Sequence, residues 1–186
     1  MPRPDPAASQ PTQVPDANPL AGSSTSELLR LYGSILTALR TRGIDRSENS
    51  PVGDYAEHLA SRAFDLTLTT NSAIGYDGVD AAGVRYQVKG RRITPWNRSR
   101  QLGAIRGLGP TSSDPFDVLV GVLFNGDFTV LRAALIPVSV VRTNAKAQPH
   151  VNGWRLMLTD GVWLLPDVVD ATEQVRAAAA QDDADE

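Results

Sequence analysis

One stretch decides the fold of this 186-residue chain: GYDGVDAAGVRYQVKG, at residues 75–90. Two runs of strand-forming residues, 76–79 and 84–90, flank the sequence Asp80-Ala81-Ala82-Gly83. The glycine of this sequence can adopt the left-handed conformation that closes a three-residue hairpin loop, because it has no Cβ atom. The stretch therefore predicts a tight β-hairpin.

The length of the hairpin loop decides which side chains meet across the two strands. With a three-residue loop, Asp80 lies opposite Val84, and the same register places Asp77 opposite Gln87. With a two-residue loop, Asp77 instead lies opposite Tyr86. Only the first alternative brings a carboxylate and an amide together on one face of the sheet.

Lys89 shares a face with Gln87, because residues two apart in a strand point the same way. Carboxylate and amide oxygens suit a hard cation such as Mg²⁺. A metal-bound water is easier to deprotonate, and Lys89 could orient that water or stabilise the charge that builds on a phosphate. A further carboxylate would complete the site, and Glu57 on a predicted neighbouring helix is the candidate donor.

The rest of the chain supplies helices and strands around this hairpin. Helical periodicity and a capping box predict a first helix that begins after Ser24 and stops at Gly43, and a second helix spans residues 51–64. The run 117–124, DVLVGVLF, is almost wholly apolar, which is typical of a strand covered on both faces. Helices before and after a central mixed sheet predict an α/β, or α+β, fold. Further predicted elements are strands at 66–70 and 128–134, a short helix at 137–142, a hairpin joining 154–158 to 162–164, and a closing helix from about residue 170.

Composition limits both the chemistry and the domain organisation. The chain has no cysteine and only two histidines, which excludes thiolate zinc sites and disulfide scaffolds and leaves little for a histidine-based triad. Residues 1–22 are rich in proline and are predicted to be disordered, as is the acidic tail 181–186, so that residues 23–180 form a single domain. There is no apolar leader at the start and no run of about 18 apolar residues, so we expect a cytoplasmic protein without a membrane partner.

The net charge of −3 conceals a segregation of charge. Residues 81–113 contain seven lysines and arginines and no acid, so this window carries +7 and the rest of the chain carries −10. A long loop, 93–115, follows Lys89 and interleaves an aromatic side chain with arginines, a pattern that suits phosphate clamping and base stacking. The predicted nucleic-acid-binding residues are Arg91, Arg92, Trp96, Arg98, Arg100 and Arg106.

The order of these residues resembles a known family. A helical Glu57, then Gly75-Tyr76-Asp77, then Gln87-Val88-Lys89 resembles the PD-(D/E)xK, or restriction-endonuclease-like, nuclease superfamily, in the Gln-x-Lys form of Mrr-type restriction nucleases. The longer string from GDYAE through GYDGVD and YQVKGRR to PFDVLVGVLF is also similar to a small bacterial family known only as a domain of unknown function. The superfamily resemblance covers roughly residues 51–134.

This resemblance implies a restriction-endonuclease-like αβββαβ core with the hairpin at its centre, and metal-dependent hydrolysis of phosphodiester bonds by an endonuclease. The implied partner is nucleic acid, DNA rather than RNA, and cleavage of a duplex would favour a homodimer. The implied catalytic residues are Glu57, Asp77, Gln87 and Lys89, and the groups that would bind Mg²⁺ or Mn²⁺ are Glu57, Asp77, Gln87 and the Val88 carbonyl.

The sequence departs from the superfamily pattern at two points. Gln87 stands where an acid usually lies, which removes one negative charge from the metal site. Residues 93–115 are rich in Gly, Pro and Ser, and they allow at most a short helix at 97–105, where the superfamily normally has a helix between its third and fourth strands.

Each site residue also has an ordinary structural interpretation. Lys89 can be a solvated strand residue, Asp77 a turn residue, and Glu57 a surface carboxylate paired with Arg62 or Arg92. The rival function is that of a nuclease-fold protein that binds nucleic acid or a protein partner without cutting. A phosphate-handling enzyme outside nucleic acid is a third possibility, but no Gly-rich phosphate loop supports it.

Overall fold

The computed structural model describes residues 19–46, 50–69, 75–109 and 112–185. In these residues the chain combines four α-helices with a mixed six-stranded sheet and a two-stranded ribbon. This confirms the predicted mixed α/β class. The segment predicted to be disordered, 1–22, lies mostly outside the described residues.

The two N-terminal helices follow local sequence signals. Helix α1 (Thr25–Thr41) begins with a capping box, in which the Ser24 N–H donates to Glu27 Oε2 at 2.7 Å and the Glu27 N–H donates to Ser24 Oγ at 3.3 Å. Helix α2 (Pro51–Phe64) has proline at its first position and buries its small and apolar face. Both helices confirm their predictions.

The elements after α2 are, in chain order, β1 (Thr67–Leu68), β2 (Gly78–Val79), β3 (Arg85–Arg92), β4 (Val118–Phe124), β5 (Val130–Pro137), α3 (Val138–Asn144), β6 (Lys146–Gln148), β7 (Gly153–Arg155), β8 (Val169–Asp170) and α4 (Thr172–Asp185). Six of the strands form one sheet in the order β1-β2-β3-β4-β5-β8, in which β3 and β4 are parallel and all other neighbours are antiparallel. Strands β6 and β7 form the separate ribbon.

Strand β4 separates two hydrophobic clusters, as its unbroken apolar sequence predicts. Val120 and Val122 pack with α2 and α4 on one face of the sheet. Leu119 and Leu123 pack on the other face, against residues 102–108 and 156–162. Burial of side chains of this size contributes roughly 1.5–3 kcal/mol each, so these two clusters are the main source of stability.

A glycine in β3 lets helix α2 lie close to the sheet. A Cβ atom at Gly90 would come within 2.6 Å of the Val52 carbonyl oxygen and 2.9 Å of Ala56 Cβ. Because α2 also carries Glu57, this close approach brings that carboxylate to the edge of β3 on which the candidate site lies.

The predicted hairpin between residues 154–158 and 162–164 is wrong. Strand β7 pairs with β6, and Asp160–Leu164 forms a 3-10 helix. Residues 154–158 also bond to the basic loop, since the Leu102 N–H donates to the Leu156 carbonyl and the Leu158 N–H to the Arg100 carbonyl, both at 3.0 Å. Residues 154–158 thus pair with the distant residues 100–105, not with the nearby residues 162–164.

The acidic residues at the C-terminus also differ from prediction. Residues 181–185 continue helix α4 as far as Asp185. Asp182 Oδ1 lies 2.8 Å from His58 Nε2 and 3.4 Å from Arg62 Nη1, both on helix α2. These contacts hold the end of α4 against α2, and a local interpretation of the sequence as a charged tail could not include them.

Candidate active site

The β2–β3 hairpin has the three-residue loop. The Asp80 N–H donates to the Val84 carbonyl at 3.2 Å, Gly78 pairs with Tyr86, and Gly83 has a φ of +80°. These contacts confirm the register predicted from Gly83 and exclude the two-residue alternative.

The pairing shifts by one residue at Asp77. Its N–H donates at 2.7 Å to the carbonyl of Tyr86, which already pairs with Gly78. Two residues of one strand thus lie opposite one residue of the other, as in a β-bulge, and bulges redirect side chains. The regular strand β2 begins only after Asp77, whose side chain reaches β3.

The Asp77 carboxylate is buried, with 7% of the residue exposed, and it binds two donors of β3. Its Oδ2 accepts from the Val88 N–H at 2.7 Å and from the side-chain amide of Gln87. The Asp77 and Gln87 side chains therefore meet, although the shift in pairing places the Asp77 backbone opposite Tyr86 and not opposite Gln87 as predicted. Both of these bonds use Oδ2, so Oδ1 is the Asp77 oxygen that could bind a cation.

The amide of Gln87 donates in this contact, because an ionised carboxylate can only accept. Its carbonyl oxygen is therefore the Gln87 atom that remains for a metal. The Val88 carbonyl points to the same edge as the Val88 N–H, because both groups of an extended residue face the same side of the strand. Both predicted oxygen donors of β3 thus lie beside Asp77.

Glu57 reaches this edge of the sheet from helix α2. Its side chain is 22% exposed, and Oε2 lies 3.2 Å from Arg46 Nη1. Burial raises the pKa of Glu57 to about 7, and the negative charge of Asp77 adds to the shift, while the charges of Arg46 and Lys89 oppose it. Glu57 and Asp77 are therefore close enough for their like charges to interact.

The alternative partners proposed for Glu57 are wrong. Arg62 pairs with Asp182, and the Arg92 guanidinium donates to the Gly126 carbonyl at the β4–β5 turn. Glu57 pairs instead with Arg46, which lies between α1 and α2.

Lys89 lies in the middle of β3, opposite Gly121 of β4. Its Cδ atom is 3.7 Å from the position that a Cβ would take at Gly103, so the side chain extends under the basic loop. The charge of Lys89 lowers the pKa of Glu57. The predicted set of Glu57, Asp77, Gln87 and Lys89 is thus gathered around one part of β3.

Sequence reasoning missed the role of Arg46. Its Nη2 donates to the Thr69 carbonyl at 2.8 Å, and its backbone N–H donates to Asp54 Oδ2 at 2.8 Å. Asp54 is 7% exposed. Arg46 is therefore bonded to helix α2 and to the chain just after β1, which places its guanidinium against Glu57. No local motif marks such a contact, because its partners lie 11 and 23 residues away.

The donors at this edge are all oxygens, which fits a hard cation that keeps several waters. Such a cation binds carboxylate, side-chain amide and backbone carbonyl oxygens, which are the groups that Glu57, Asp77, Gln87 and Val88 carry. In the part of the chain that the structure describes, no group of three or more His, Asp or Glu side chains could hold a metal ion. The predicted set contains two carboxylates, those of Glu57 and Asp77, with Gln87 in the third position.

The structure divides the predicted nucleic-acid-binding residues into two groups, and three of them make contacts within the fold. Arg91 donates to the Ser99 carbonyl and to Asn97 Oδ1, each at 3.0 Å. Arg92 also lies over the ring of Phe128, at 4.5 Å from its centroid. Arg100 forms a 2.7 Å ion pair with Asp160.

The other three residues of that prediction lie at the surface. Trp96 is 93% exposed, which is unusual for an indole, and Arg98 and Arg106 are also exposed. A ligand can therefore reach these three side chains directly.

A second acid–base contact lies at the start of β3. Arg85 donates through Nη2 to Asp117 Oδ1 at 2.8 Å, and through Nε to Asp117 Oδ2 at 3.0 Å. These bonds hold the pKa of Asp117 below its ordinary value. Arg85 contributes to the charge of the basic window, but its charge is compensated within the protein.

No family model matches this chain, and no curated protein matches it. Among the residues that the structure describes, no helix has the length and apolar content needed to cross a membrane.

Proposed function

We propose that this protein is a metal-dependent nuclease that hydrolyses phosphodiester bonds, in DNA rather than RNA. The observation that carries the proposal is the juxtaposition of Glu57 and Asp77 at one edge of the sheet. Burial and the charge of Asp77 raise the pKa of Glu57 to about 7. Such a concentration of negative charge is costly in an ordinary fold and is typical of functional sites.

A divalent cation, Mg²⁺ or Mn²⁺, would offset this charge, bound by Glu57, Asp77, the Gln87 amide oxygen and the Val88 carbonyl. When bound, the cation supplies a more acidic water and a positive charge against the phosphate. Lys89 then orients the attacking water or stabilises the negative charge that develops on the phosphate oxygens. The bonds from Gln87 and Val88 hold Asp77 in place for this role.

The order of elements supports a restriction-endonuclease-like core. Helix α2 is followed by β1, β2 and β3, the β2–β3 hairpin is central, and β4 lies parallel to β3. This is the succession that the resemblance implies, apart from the helix expected between β3 and β4. Residues 93–109 and 112–117 form no helix and instead pack across the sheet.

The exposed part of the basic loop supports nucleic acid as the substrate. Arg98 and Arg106 can bind phosphates and Trp96 can stack on a base. Phosphate contacts position a strand without selecting its sequence, so we expect weak sequence dependence from these residues. The preference for DNA rests on the resemblance to restriction nucleases.

The direct test is cleavage of plasmid and linear DNA with Mg²⁺, with Mn²⁺ and with EDTA. We expect cleavage with metal only, and a loss of at least about 100-fold in Lys89→Ala, the size of effect seen when one transition-state stabiliser is removed. Arg30→Ala, which removes a cation from helix α1, is the matched control and should cleave as wild type does. Equal background cleavage by wild type and Lys89→Ala would refute the enzymatic proposal.

The structure also gives one observation in favour of the rival function. Arg46 already supplies a positive charge to Glu57, and Asp77 Oδ2 already has two donors. Part of the negative charge is thus compensated without a metal, as expected of a nuclease-fold protein that binds nucleic acid or a protein partner without cutting. A gel shift of DNA by wild type in Mg²⁺, with no cleavage of the same DNA, would favour this rival.

A further inference from the structure

Two positive side chains face each other on the β6–β7 ribbon. Lys146 and Arg155 are paired residues in its antiparallel register. Directly opposite residues of such a pair have Cβ atoms about 4.5–5.5 Å apart on the same face, and like charges in these positions destabilise the pair. A negative charge bound beside both side chains would therefore stabilise the ribbon.

The described residues do not supply that charge. Neither Lys146 nor Arg155 forms an ion pair with an acid of the described chain. Both side chains line a pocket of about 320 Å³ whose lining contains no Asp or Glu. The polar lining also includes Thr159 and the side-chain amides of Gln101, Asn144 and Gln148, which can donate hydrogen bonds to an anion. The Asn144 amide also donates to the Val140 carbonyl at 2.9 Å, so only part of its capacity remains.

Arg155 also has a nitrogen atom without a hydrogen bond. Its Nε atom is enclosed by protein, yet it has no hydrogen-bond partner among the described residues. Buried polar atoms are nearly always bonded, so the guanidinium of Arg155 is not satisfied by the described protein alone. An arginine offers a planar fork of donors that matches phosphate oxygens.

We propose that Lys146 and Arg155 form a phosphate-binding site, separate from the candidate active site. Trp154 is next to Arg155 in β7, so its side chain points to the opposite face of the ribbon, where it packs against the hydrophobic cluster that contains Leu119 and Leu123. The ribbon is therefore anchored on one face and presents the two cations on the other. The phosphate has two possible sources: the backbone of a nucleic acid, or a free phosphate or phosphomonoester.

The position of the pocket favours the nucleic-acid backbone, and this part of the inference rests on the proposed function. The Ile105 N–H donates to the Trp154 carbonyl at 2.8 Å, and the Trp154 N–H donates to the Ile105 carbonyl at 2.7 Å. The ribbon is thus bonded to the basic loop, and Lys89 lies under the same loop at Gly103. A strand that reaches Lys89 could place a further phosphate at the ribbon.

The test uses the full chain and measures binding at several salt concentrations. Wild type, Lys146→Gln and Arg155→Gln are compared for affinity toward a duplex oligonucleotide, by fluorescence anisotropy in EDTA, and toward inorganic phosphate, by calorimetry. Arg30→Gln, which removes the same charge from α1, is the control. Lys146 is exposed, so Lys146→Gln keeps the test valid even if Arg155→Gln fails to fold.

If the source is the nucleic-acid backbone, each variant should weaken duplex binding equally for unrelated sequences. Each should also lower the slope of log K against log salt by about 0.9, the contribution of one phosphate contact. If the source is a free phosphate, wild type should bind inorganic phosphate, and the variants should lose that binding while duplex affinity stays unchanged. If neither variant changes either measurement, the site is refuted.

The cleavage assay separates this inference from the proposed function. A lower salt slope in Lys146→Gln without metal-dependent cleavage by wild type would support the phosphate site and refute the nuclease. Cleavage by wild type together with an unchanged slope and no phosphate binding would refute the site alone.

Discussion

At the first residue of β3, the Arg85 guanidinium binds both carboxylate oxygens of Asp117, whereas in the middle of the same strand Asp77 lies beside a second carboxylate, that of Glu57. The pKa of Asp117 is held below its ordinary value by its hydrogen bonds to Arg85. The pKa of Glu57 is raised to about 7 by burial and by Asp77. One end of β3 thus lies beside an acid that is paired with an arginine, and the middle of β3 lies beside two acids whose like charges interact.

The difference shows how to separate structural charges from candidate functional ones. An arginine fork that matches a carboxylate fixes two chain segments and leaves little charge for a ligand. Two neighbouring carboxylates, of which one is paired with an arginine, keep negative charge that a cation can bind. Changes at the two places should therefore affect different properties of the protein.

The largest effect is expected from Asp77→Asn. Asparagine keeps an oxygen that can accept from the Val88 N–H but removes the charge, so the fold should persist while cleavage falls by at least about 100-fold. Mg²⁺ should raise the Tm of wild type and not that of Asp77→Asn, because a ligand stabilises only the state that binds it.

Asp117→Asn is the matched control for this change, since it makes the same replacement at the other acid beside β3, directly before β4. It should lower the Tm, because an asparagine cannot accept both bonds from Arg85 as a charged carboxylate does, and it should leave metal-dependent cleavage at the wild-type rate. Equal loss of cleavage in both variants would show that the two places do not differ in function.

An intermediate effect is expected from the pH dependence of stability. The pKa of Glu57 rises from 4.5 to about 7 on folding, so its contribution to stability is complete below pH 4.5 and is lost as the pH rises to 7. At 1.36 kcal/mol per pKa unit, wild type should lose up to roughly 3 kcal/mol over this range relative to Glu57→Gln.

Urea unfolding of both proteins at pH 4.5, 6, 7 and 8 measures this difference. Glu57→Gln is the right reference because glutamine resembles the protonated acid and does not titrate. Parallel stability curves for the two proteins would mean that Glu57 is not buried against Asp77, and the comparison with Asp117 would lose its basis.

The smallest effect is expected from Arg85→Lys. Lysine keeps the charge but cannot bind both oxygens of Asp117, so the unfolding free energy should fall by about 1 kcal/mol, with cleavage unchanged. Because the pKa of Asp117 is lowered on folding, its contribution is present above its ordinary value of 3.8 and is lost as the pH falls below it. The stability difference between wild type and Arg85→Lys should therefore shrink in acid, as urea unfolding at pH 2.5 and pH 6 would show.

The sequence by itself determined the features that depend on neighbours along the chain. The hairpin loop at Gly83, the capping box of α1, the bounds of α2 and the doubly buried strand β4 all follow from residues a few positions apart. The contact of Asp77 with Gln87 needs in addition the shift in pairing at Asp77, which no local pattern predicts. The pairing of β2 with β3 itself belongs to the same class, because a tight loop fixes the register of both strands. Local geometry leaves few alternatives at such places.

The tertiary structure decided the features whose partners are distant. Arg46 against Glu57, residues 154–158 against the basic loop, the acidic end of α4 against α2, and the pairing of Lys146 with Arg155 have no signal in a short window of sequence. It also decided which arginines of the basic window bind within the fold and which remain exposed. Burial and charge depend on all the segments that pack around a group, and only the complete fold brings those segments together.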